Sequence, residues 1–368
     1  MTIGVDGNEA NLKNRVGVNQ YAAELLCALE KLEEAQKHEW VVYLASPPLP
    51  HLPKERVGWT YKIVPGGLIQ KTLTVWRTRP DVYFAPTHYL PLFPPVSTVM
   101  AVMDLGYLRF PDQFKKRDFF QLKYWTLISL LEAQKVLAIS ESTKSDIIKH
   151  YPWAKRKIVV TPLGYDKSQF KYPIPKKEIE KVAKKYGIEG KYVLYLGTLK
   201  PSKNIEGVVE AFHLLITHRP SLATKLVVAG KKGWLFNTIF KKVEELGLQN
   251  RVIFTDFFHE EDKAPLMAGA LVFVSPSFWE GFGIPALESM AVGTPVVVSN
   301  VTSYPEVVGK AGILVDPYNV EGITEGINKV VSASSAAYDK MIRTGLDQAA
   351  KFSWEETARK TLDVLTNL

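Results

Sequence analysis

Short runs of apolar residues alternate along the chain with longer stretches whose apolar residues recur at helical spacing. Most of these runs lack a regular alternation with polar residues, which is typical of strands buried on both faces of a parallel sheet. We predict strands at 2–6, 40–45, 60–64, 81–85, 98–102, 135–139, 157–161, 192–196, 226–229, 252–255, 271–275, 296–299 and 312–316. We predict helices at 19–34, 68–78, 144–151, 204–217, 235–246, 285–292 and 353–365. This alternation of strands and helices predicts an α/β fold with parallel sheets.

A stretch with glycine, prolines and mixed charges interrupts the alternation at 162–177, and its composition is typical of a linker. The 368 residues are enough for two domains of roughly 100–200 residues each. We place the boundary near residue 170, which gives domains at 1–170 and 171–352. A last helix follows, and Ser353 with Glu356 forms a capping box at its start.

Composition narrows the classes of protein that need to be considered. With 46% hydrophobic and 23% charged residues, the chain is typical of a globular protein. It has a single cysteine, Cys27, so no internal disulfide forms, and a reducing compartment is expected. We find neither a secretory leader nor an apolar run long enough to span a membrane. We therefore expect a cytoplasmic protein, either free or held at the inner face of the membrane.

The formal net charge of +8 favours a polyanionic partner. Diphosphates, anionic lipids and nucleic acids all have the required charge. The sequence has no zinc-ligand spacing and no RNA-binding signature that we recognise, so we do not expect nucleic acid to be the partner.

The stretch 271–300 predicts a strand, a loop, a helix and a strand in that order. The loop, 280–284, contains two glycines, which let the backbone come close to a ligand, and it leads into a helix N-terminus that favours an anion. Two carboxylates flank this site, Glu280 in the loop and Glu288 in the helix. Because a carboxylate repels an anion, these two side chains are better suited to accepting hydrogen bonds from ligand hydroxyls. A phosphorylated sugar has both kinds of group.

The order Glu, Gly, Phe, Gly, Ile, Pro, with a second Glu after seven intervening residues, resembles the signature of retaining GT-B glycosyltransferases of family 4, also called glycosyltransferase group 1. The resemblance implies two facing Rossmann-like, doubly wound domains with an interdomain cleft. It also implies that the C-terminal helix, 353–368, packs back on the first domain. Glu280 would contact the transferred sugar, and Glu288 the ribose of the nucleotide. The loop amides that would bind the diphosphate and sugar belong to Gly281, Phe282, Gly283 and Ile284.

A second loop, 197–203, precedes a predicted helix and contains Lys203, whose charge at a helix N-terminus would suit a diphosphate. In the family this loop has two basic residues that hold the phosphates. Lys203 matches the lysine, but Thr198 or Ser202 stands where an arginine is usual, and Lys200 is a candidate to compensate.

Further donor contacts are implied by the same resemblance. Gly17 matches a glycine that faces the diphosphate, although an N-terminal helix cap is an equally good interpretation. Phe257 or Phe258 would flank the nucleotide base, unless both pack in the core. The remaining contacts are expected at Gly197 and Thr198.

The acceptor is expected at the ends of strands 81–85 and 98–102, which are followed by His88 and by Met103 with Asp104. Many family members have His-Asp-Leu at the second position, close to the transferred sugar. A thioether cannot exchange a proton, so three interpretations stay open. The leaving phosphate takes the acceptor proton, His88 replaces the missing histidine, or the protein is catalytically impaired. Asp104 either orients the loop or binds the acceptor.

In the segment 107–131, aromatic residues are interleaved with lysines and arginines. A helix that packs its aromatic face on a sheet has this pattern, and so does a helix that lies on an anionic membrane surface. Both interpretations stay open.

The expected reaction is transfer of a hexose from a nucleoside diphosphate sugar to a glycan or lipid-linked glycan, with retention at the anomeric carbon. Resemblance favours GDP-mannose as the donor, with UDP-glucose and UDP-N-acetylglucosamine as alternatives. No cofactor is expected. No Asp-x-Asp pair occurs, so no metal site is expected either. The rivals are a nucleotide-sugar-binding protein without turnover and another sugar-nucleotide enzyme on the same fold, such as an epimerase or a phosphorylase.

Overall fold

A computed structural model describes residues 1–15, 17–222, 224–256 and 258–368 of the chain. Its contacts divide the chain into two compact units. Unit 1 combines Met1–Gly164 with Ser353–Leu368, and unit 2 is Tyr165–Phe352.

Unit 1 is built on a parallel sheet of seven strands in its described residues. The strands are β1 (Thr2–Asp6), β2 (Glu39–Leu44), β3 (Trp59–Ile63), β4 (Val82–Ala85), β5 (Ser97–Val102), β6 (Lys135–Ala138) and β7 (Ile158–Val160). Their order in the sheet is β3-β2-β1-β4-β5-β6-β7. The first helices are α1 (Val18–Lys31), α2 (Leu68–Thr78), α3 (Gly106–Arg109), α4 (Lys116–Glu132) and α5 (Glu141–His150). The strand order reverses between β1 and β4, and ligands of open α/β sheets bind at such switch points.

Unit 2 repeats this arrangement with six strands among its described residues, in the order β10-β9-β8-β11-β12-β13. The strands are β8 (Lys191–Leu196), β9 (Thr224–Ala229), β10 (Val252–Asp256), β11 (Val272–Ser275), β12 (Val296–Ser299) and β13 (Ile313–Val315). The helices are α6 (Lys176–Lys185), α7 (Ile205–His218), α8 (Asn237–Glu245), α9 (Lys263–Ala268), α10 (Ile284–Ala291), α11 (Tyr304–Val308), α12 (Val320–Val331) and α13 (Ser335–Ala349). The switch point lies between β8 and β11.

The central strands explain why the apolar runs in the sequence are continuous. Every residue of β4, β11 and β12 is buried, because helices cover both faces of a doubly wound parallel sheet. The prediction of two Rossmann-like α/β domains is confirmed.

The division between the units falls after Gly164, whereas the sequence placed it near residue 170. Phe170 is buried within unit 2, where its ring centroid lies 5.3 Å from Nζ of Lys263. The neighbouring Gln169 donates a side-chain hydrogen bond to the carbonyl oxygen of Glu260 at 2.5 Å. These contacts attach the 165–170 segment to unit 2.

Helix α14 (Trp354–Thr366) belongs to unit 1. The Ser353 hydroxyl caps it by accepting a hydrogen bond from the backbone N–H of Glu356 at 3.1 Å, as the capping box predicts. Trp354 packs on Tyr21 of α1, with 6.2 Å between ring centroids. Gly164 lies against this turn so closely that a Cβ there would be 2.1 Å from the backbone N of Trp354.

Most predicted helix starts differ from the observed ones by one to three residues, and two of them show how the cap decides where a helix begins. Helix α5 begins at Glu141 and not at residue 144, because Ser140 is the cap and accepts the N–H of Thr143 at 2.9 Å. Helix α10 begins at Ile284, one residue before the predicted start, with Gly283 as its cap. Among the described residues, no helix is both long and apolar enough to cross a membrane.

Candidate functional site

The Gly283 backbone sets the shape of the loop between β11 and α10. Gly283 has a φ of 95°, in the left-handed region that favours glycine. A Cβ at this position would lie 2.5 Å from Cε1 of Tyr304. The loop therefore depends on glycine here for two reasons, the backbone conformation and the close approach of an aromatic ring.

Lys203 and Glu280, predicted from separate loops, form an ion pair in unit 2. Nζ of Lys203 lies 2.6 Å from Oε1 of Glu280, and the two side chains are only 13% and 18% exposed. Lys203 ends a single 3-10 turn, Pro201–Lys203, just before α7. The structure thus brings together a cation suited to phosphate and a carboxylate suited to hydroxyls.

Backbone and amide contacts hold these two loops together. The N–H of Phe278 donates to the carbonyl oxygen of Ser202 at 3.0 Å. The buried Asn204 side chain donates to the carbonyl oxygens of Pro276 at 3.1 Å and Pro317 at 2.7 Å. The Lys203–Glu280 geometry is therefore fixed by the scaffold.

Tyr304 contacts the side chain of Glu280. This residue was not predicted from the sequence. Its hydroxyl donates to Oγ of Ser275 at 2.7 Å and lies 3.5 Å from Oε1 of Glu280. Burial, and then the charge of Glu280, hold the pKa of Tyr304 well above its ordinary value, so the phenol stays protonated. The hydroxyl of Ser303 donates to the backbone carbonyl of Glu280 at 3.1 Å. Tyr304 thus contacts the side chain of Glu280, and Ser303 contacts its backbone.

Glu288 pairs with Lys263, a residue that the sequence analysis also missed. Nζ of Lys263 lies 2.9 Å from Oε1 and 2.8 Å from Oε2 of Glu288. Burial lowers the pKa of Lys263, but the charges of Glu288 and Glu260 outweigh it, so the pKa is raised. Helix α9, which begins at Lys263, has six residues. The available signal was Pro265, since proline is favoured in a first helical turn.

The loop 197–203 pairs with the loop that follows β9. The N–H of Leu199 donates to the carbonyl of Lys231, and the N–H of Gly233 donates to the carbonyl of Leu199, both at 3.0 Å. Gly197 approaches Gly230 so closely that a Cβ on Gly230 would lie 2.0 Å from the Gly197 oxygen. Gly197 and Thr198 are thus held at the carboxyl end of β8, the sheet edge where ligands are expected.

The other residues predicted to contact the donor lie in different environments. Nζ of Lys200 lies 5.2 Å from the Trp234 ring centroid, a cation–π contact. Gly17 is the N-cap residue of α1 with a φ of 56°, and its carbonyl oxygen accepts the N–H of Tyr21 at 3.0 Å. This agrees with the capping interpretation, and a diphosphate role for Gly17 stays a prediction. Phe257 lies outside the described residues, while Phe258 is half-buried.

His88, Met103 and Asp104 meet at the ends of the neighbouring strands β4 and β5. The N–H of Met103 lies 3.4 Å from Nε2 of His88, and Oγ1 of Thr126 lies 3.4 Å from Nδ1. Burial lowers the pKa of His88, and Asp104 opposes this, so the imidazole is neutral at pH 7. Oδ1 of Asp104 accepts the N–H of Gly106 at 2.7 Å, a contact that orients the loop.

The aromatic residues of α4 divide between the core and the surface. Phe119 packs against the hydrophobic core of unit 1. Phe120 and Tyr124 are 49% and 54% exposed, and their rings stack with 6.1 Å between centroids and 9° between planes. Phe119 thus fits a helix that packs on the sheet, whereas Phe120 and Tyr124 fit a helix that lies on a membrane surface.

Comparisons with known proteins agree with this architecture. Residues 177–348 match the family model described as glycosyl transferases group 1. The chain is 34% identical to O-antigen chain mannosyltransferase B of Escherichia coli over 283 residues, which cover 77% of this chain and 73% of that protein. It is 28% identical to serotype-specific mannosyltransferase WbdA of Escherichia coli, but the match covers only 34% of that longer protein.

Solved structures of similar proteins share the fold over the whole chain. The Anabaena protein Alr3699/HepE, solved in complex with UDP and glucose, has a TM-score of 0.75 at 19% identity, with 100% of both chains covered. WaaG, a glycosyltransferase involved in lipopolysaccharide biosynthesis, has a TM-score of 0.74 at 18% identity. The resemblance first seen in the 280–288 motif is confirmed, and the chain belongs to the glycosyl transferases group 1 family, with the GT-B fold.

Proposed function

We propose that the protein transfers mannose from GDP-mannose to a glycan or lipid-linked glycan, with retention at the anomeric carbon. The observation that carries this proposal is the ion pair between Lys203 and Glu280 at the 280–284 loop. A cation suited to phosphate next to a carboxylate suited to hydroxyls supports binding of a phosphorylated sugar. The similarity to mannosyltransferase B supports mannose as the sugar and O-antigen as the kind of glycan that is built.

Each part of the donor has a matching group in unit 2. Glu280 accepts hydrogen bonds from the sugar hydroxyls, and Glu288 accepts them from the ribose. Lys203 and the amides of 281–284 stabilise the charge that develops on the leaving diphosphate, as fixed donors do in oxyanion holes. No metal ion and no cofactor is required in this scheme.

The reaction has one bond made and one bond broken at the anomeric carbon. The bond to the β-phosphate oxygen breaks, and the acceptor oxygen bonds on the same face. The released β-phosphate takes the proton of the acceptor hydroxyl. Met103, which cannot exchange a proton, is compatible with this route because no protein base is needed at its position.

A donor panel tests this proposal. Release of nucleoside diphosphate is followed with GDP-mannose, UDP-glucose and UDP-N-acetylglucosamine, with and without glycan acceptors, and NMR identifies the anomer of the product. We expect turnover with GDP-mannose and an α-linked product. Glu288→Ala should lower kcat/KM by about 100-fold, because hydrogen bonds to a charged group are lost.

Glu325→Ala is the matched control, since Glu325 is an exposed residue of α12, and it should leave turnover unchanged. Tight donor binding without any diphosphate release, even after Met103→His restores an imidazole, would favour a nucleotide-sugar-binding protein. An inverted product would contradict retention.

We also propose that α4 rests on an anionic membrane surface. The exposed, stacked rings of Phe120 and Tyr124 lie on the same helix as Lys116, Arg117 and Lys123. Rings at headgroup level beside cations are what a helix on an anionic bilayer requires. Sedimentation with lipid vesicles measures this contact.

A further inference from the structure

Each carboxylate of the 280–288 motif has its own lysine, but the two pairs differ in burial. The Glu280 and Lys203 side chains are 18% and 13% exposed, whereas Glu288 is only 6% exposed beside Lys263 at 14%. A carboxylate as buried as Glu288 stays ionised only if a charge or several donors compensate its lost hydration. Lys263 supplies that charge.

The contact between Lys263 and Glu288 also fixes the direction of the carboxylate. The ammonium reaches both oxygens of Glu288, at 2.9 and 2.8 Å. The ammonium is itself held, by Glu260 at 3.4 Å and over the Phe170 ring at 5.3 Å. An ammonium fixed on three sides holds the carboxylate plane in one orientation. The carboxylate of Glu288 is therefore held in a fixed direction.

We propose that Lys263 is the positioning residue that makes Glu288 selective for the ribose hydroxyls of the nucleotide. The inference rests on the proposed function, in which Glu288 accepts hydrogen bonds from the ribose. Lys263 keeps Glu288 ionised and oriented, so each hydroxyl meets a charged acceptor. It also neutralises a carboxylate that would otherwise repel the nearby diphosphate.

Removing Lys263 should affect one part of the nucleotide more than the rest. Without the ammonium, Glu288 either takes up a proton or turns toward water, and both changes weaken its hydrogen bonds to hydroxyls. The diphosphate contacts made by Lys203 and the 281–284 amides are unchanged. The preference for a ribose over a sugar without hydroxyls should therefore disappear, while part of the affinity persists.

The experiment compares GDP with 2′,3′-dideoxy-GDP by calorimetry, and UDP with its dideoxy form if uridine binds better. We expect the wild type to bind the ribose form at least about 10-fold more tightly, as hydrogen bonds to a charged group allow. In Lys263→Met the ratio should fall below about 3-fold. Lys263→Arg, which keeps the charge, should retain most of the preference.

The matched control is Lys185→Met, which breaks the neighbouring ion pair between Lys185 and Asp262, 2.5 Å long. It should leave the ratio unchanged. If Lys263→Met does not fold, the single variant Glu288→Gln is compared with a double variant that combines it with Lys263→Met. The double variant removes both charges of the pair and therefore leaves no unpaired charge buried there. The two should show the same low ratio, because Lys263 acts only through Glu288. A further fall in the double variant would overturn the inference.

The failure of this inference is distinguishable from that of the proposed function. If the wild type binds neither nucleotide pair and turns over no donor, the proposed function fails. If the wild type turns over a donor but Lys263→Met keeps the full ribose preference, only the role of Lys263 is wrong. A wild type that turns over but has no ribose preference also overturns the inference.

Discussion

A carboxylate placed beside a diphosphate site is electrostatically unfavourable unless something neutralises it. Glu280 and Glu288 are both neutralised, by Lys203 and Lys263. The sequence predicted Lys203 from its position before a helix, but not that it contacts Glu280. It offered no reason to connect residue 263 with residue 288. Such pairs depend on tertiary packing, which local patterns do not encode.

His88 is the residue whose protonation state has the clearest consequence. Its pKa is lowered in the folded protein, so the unfolded chain binds a proton more readily. The stabilisation from a neutral His88 is complete above the ordinary pKa of about 6.5 and is lost as the pH falls below it. We expect the fall in unfolding free energy between about pH 7.5 and about pH 5.5 to be smaller in His88→Gln. Denaturant titration at the two pH values measures this.

The same variant tests the role of His88 in turnover. Because we assign the acceptor proton to the leaving phosphate, kcat of His88→Gln should stay within about 5-fold of the wild type. A loss of about 100-fold or more is the size expected for a missing general base. That result would establish that His88 replaces the absent histidine at Met103.

The loops that follow β8, β9 and β11 are joined by hydrogen bonds into one interlocked group. Loop 197–203 is bonded to the 230–233 loop on one side and to the 276–280 loop on the other. The sequence predicted each loop separately, because glycines and helix starts are local signals. It did not predict that they interlock, since those contacts join residues far apart in the chain.

Gly283→Ala tests how strongly this group depends on one backbone conformation. The alanine would need a φ of 95° and would place its Cβ 2.5 Å from the Tyr304 ring. We expect a loss of about 3 kcal/mol in unfolding free energy, from a left-handed backbone and from overpacking together. Donor affinity should fall as well, because the loop shifts.

Gly187→Ala is the matched control. Gly187 also has a positive φ, 64°, but nothing lies within 4 Å of a Cβ there. Its substitution should cost only about 1 kcal/mol, the backbone contribution alone. Equal losses in the two variants would mean that the Tyr304 contact is unimportant.

Length and capping explain the outcome for two of the helices. Helix α14 was predicted with its cap at Ser353, because a capping box precedes a long amphipathic stretch. Helix α9 was missed because its six residues are too few to establish a period. Because α9 was not predicted, Lys263 at its start was not recognised as a candidate site residue.

The sequence was sufficient to predict two parallel α/β domains. Their strand orders follow the doubly wound pattern, so each unit has a switch point where its chemistry is expected. The boundary was harder to predict, because the 165–170 segment looks like a linker in composition but packs within unit 2. A linker-like composition does not show which unit a segment packs against.

The proposed membrane contact would depend on the surface of unit 1 and on the net charge of +8. We expect the protein to sediment with vesicles of phosphatidylglycerol and not with vesicles of phosphatidylcholine. Replacing both Phe120 and Tyr124 by serine should weaken this binding about 10-fold, because two exposed rings no longer enter the headgroup region.

The control is Trp153→Ser, which removes an aromatic residue of unit 1 that is 45% exposed and lies outside α4 in the sequence. It should leave vesicle binding unchanged. Equal loss in both variants, or equal binding to neutral and anionic vesicles, would contradict a specific role for α4.

Gly164 and Trp354 lie side by side although the whole of unit 2 separates them in the chain. Unit 2 is one continuous stretch, whereas unit 1 needs residues from both sides of it. As the ribosome makes the protein, unit 2 is therefore complete before α14 exists. Domains usually fold in the order of their synthesis, but here the unit begun first is finished last. Until α14 has been synthesised, the face of α1 around Tyr21 lacks the Trp354 side chain that packs on it.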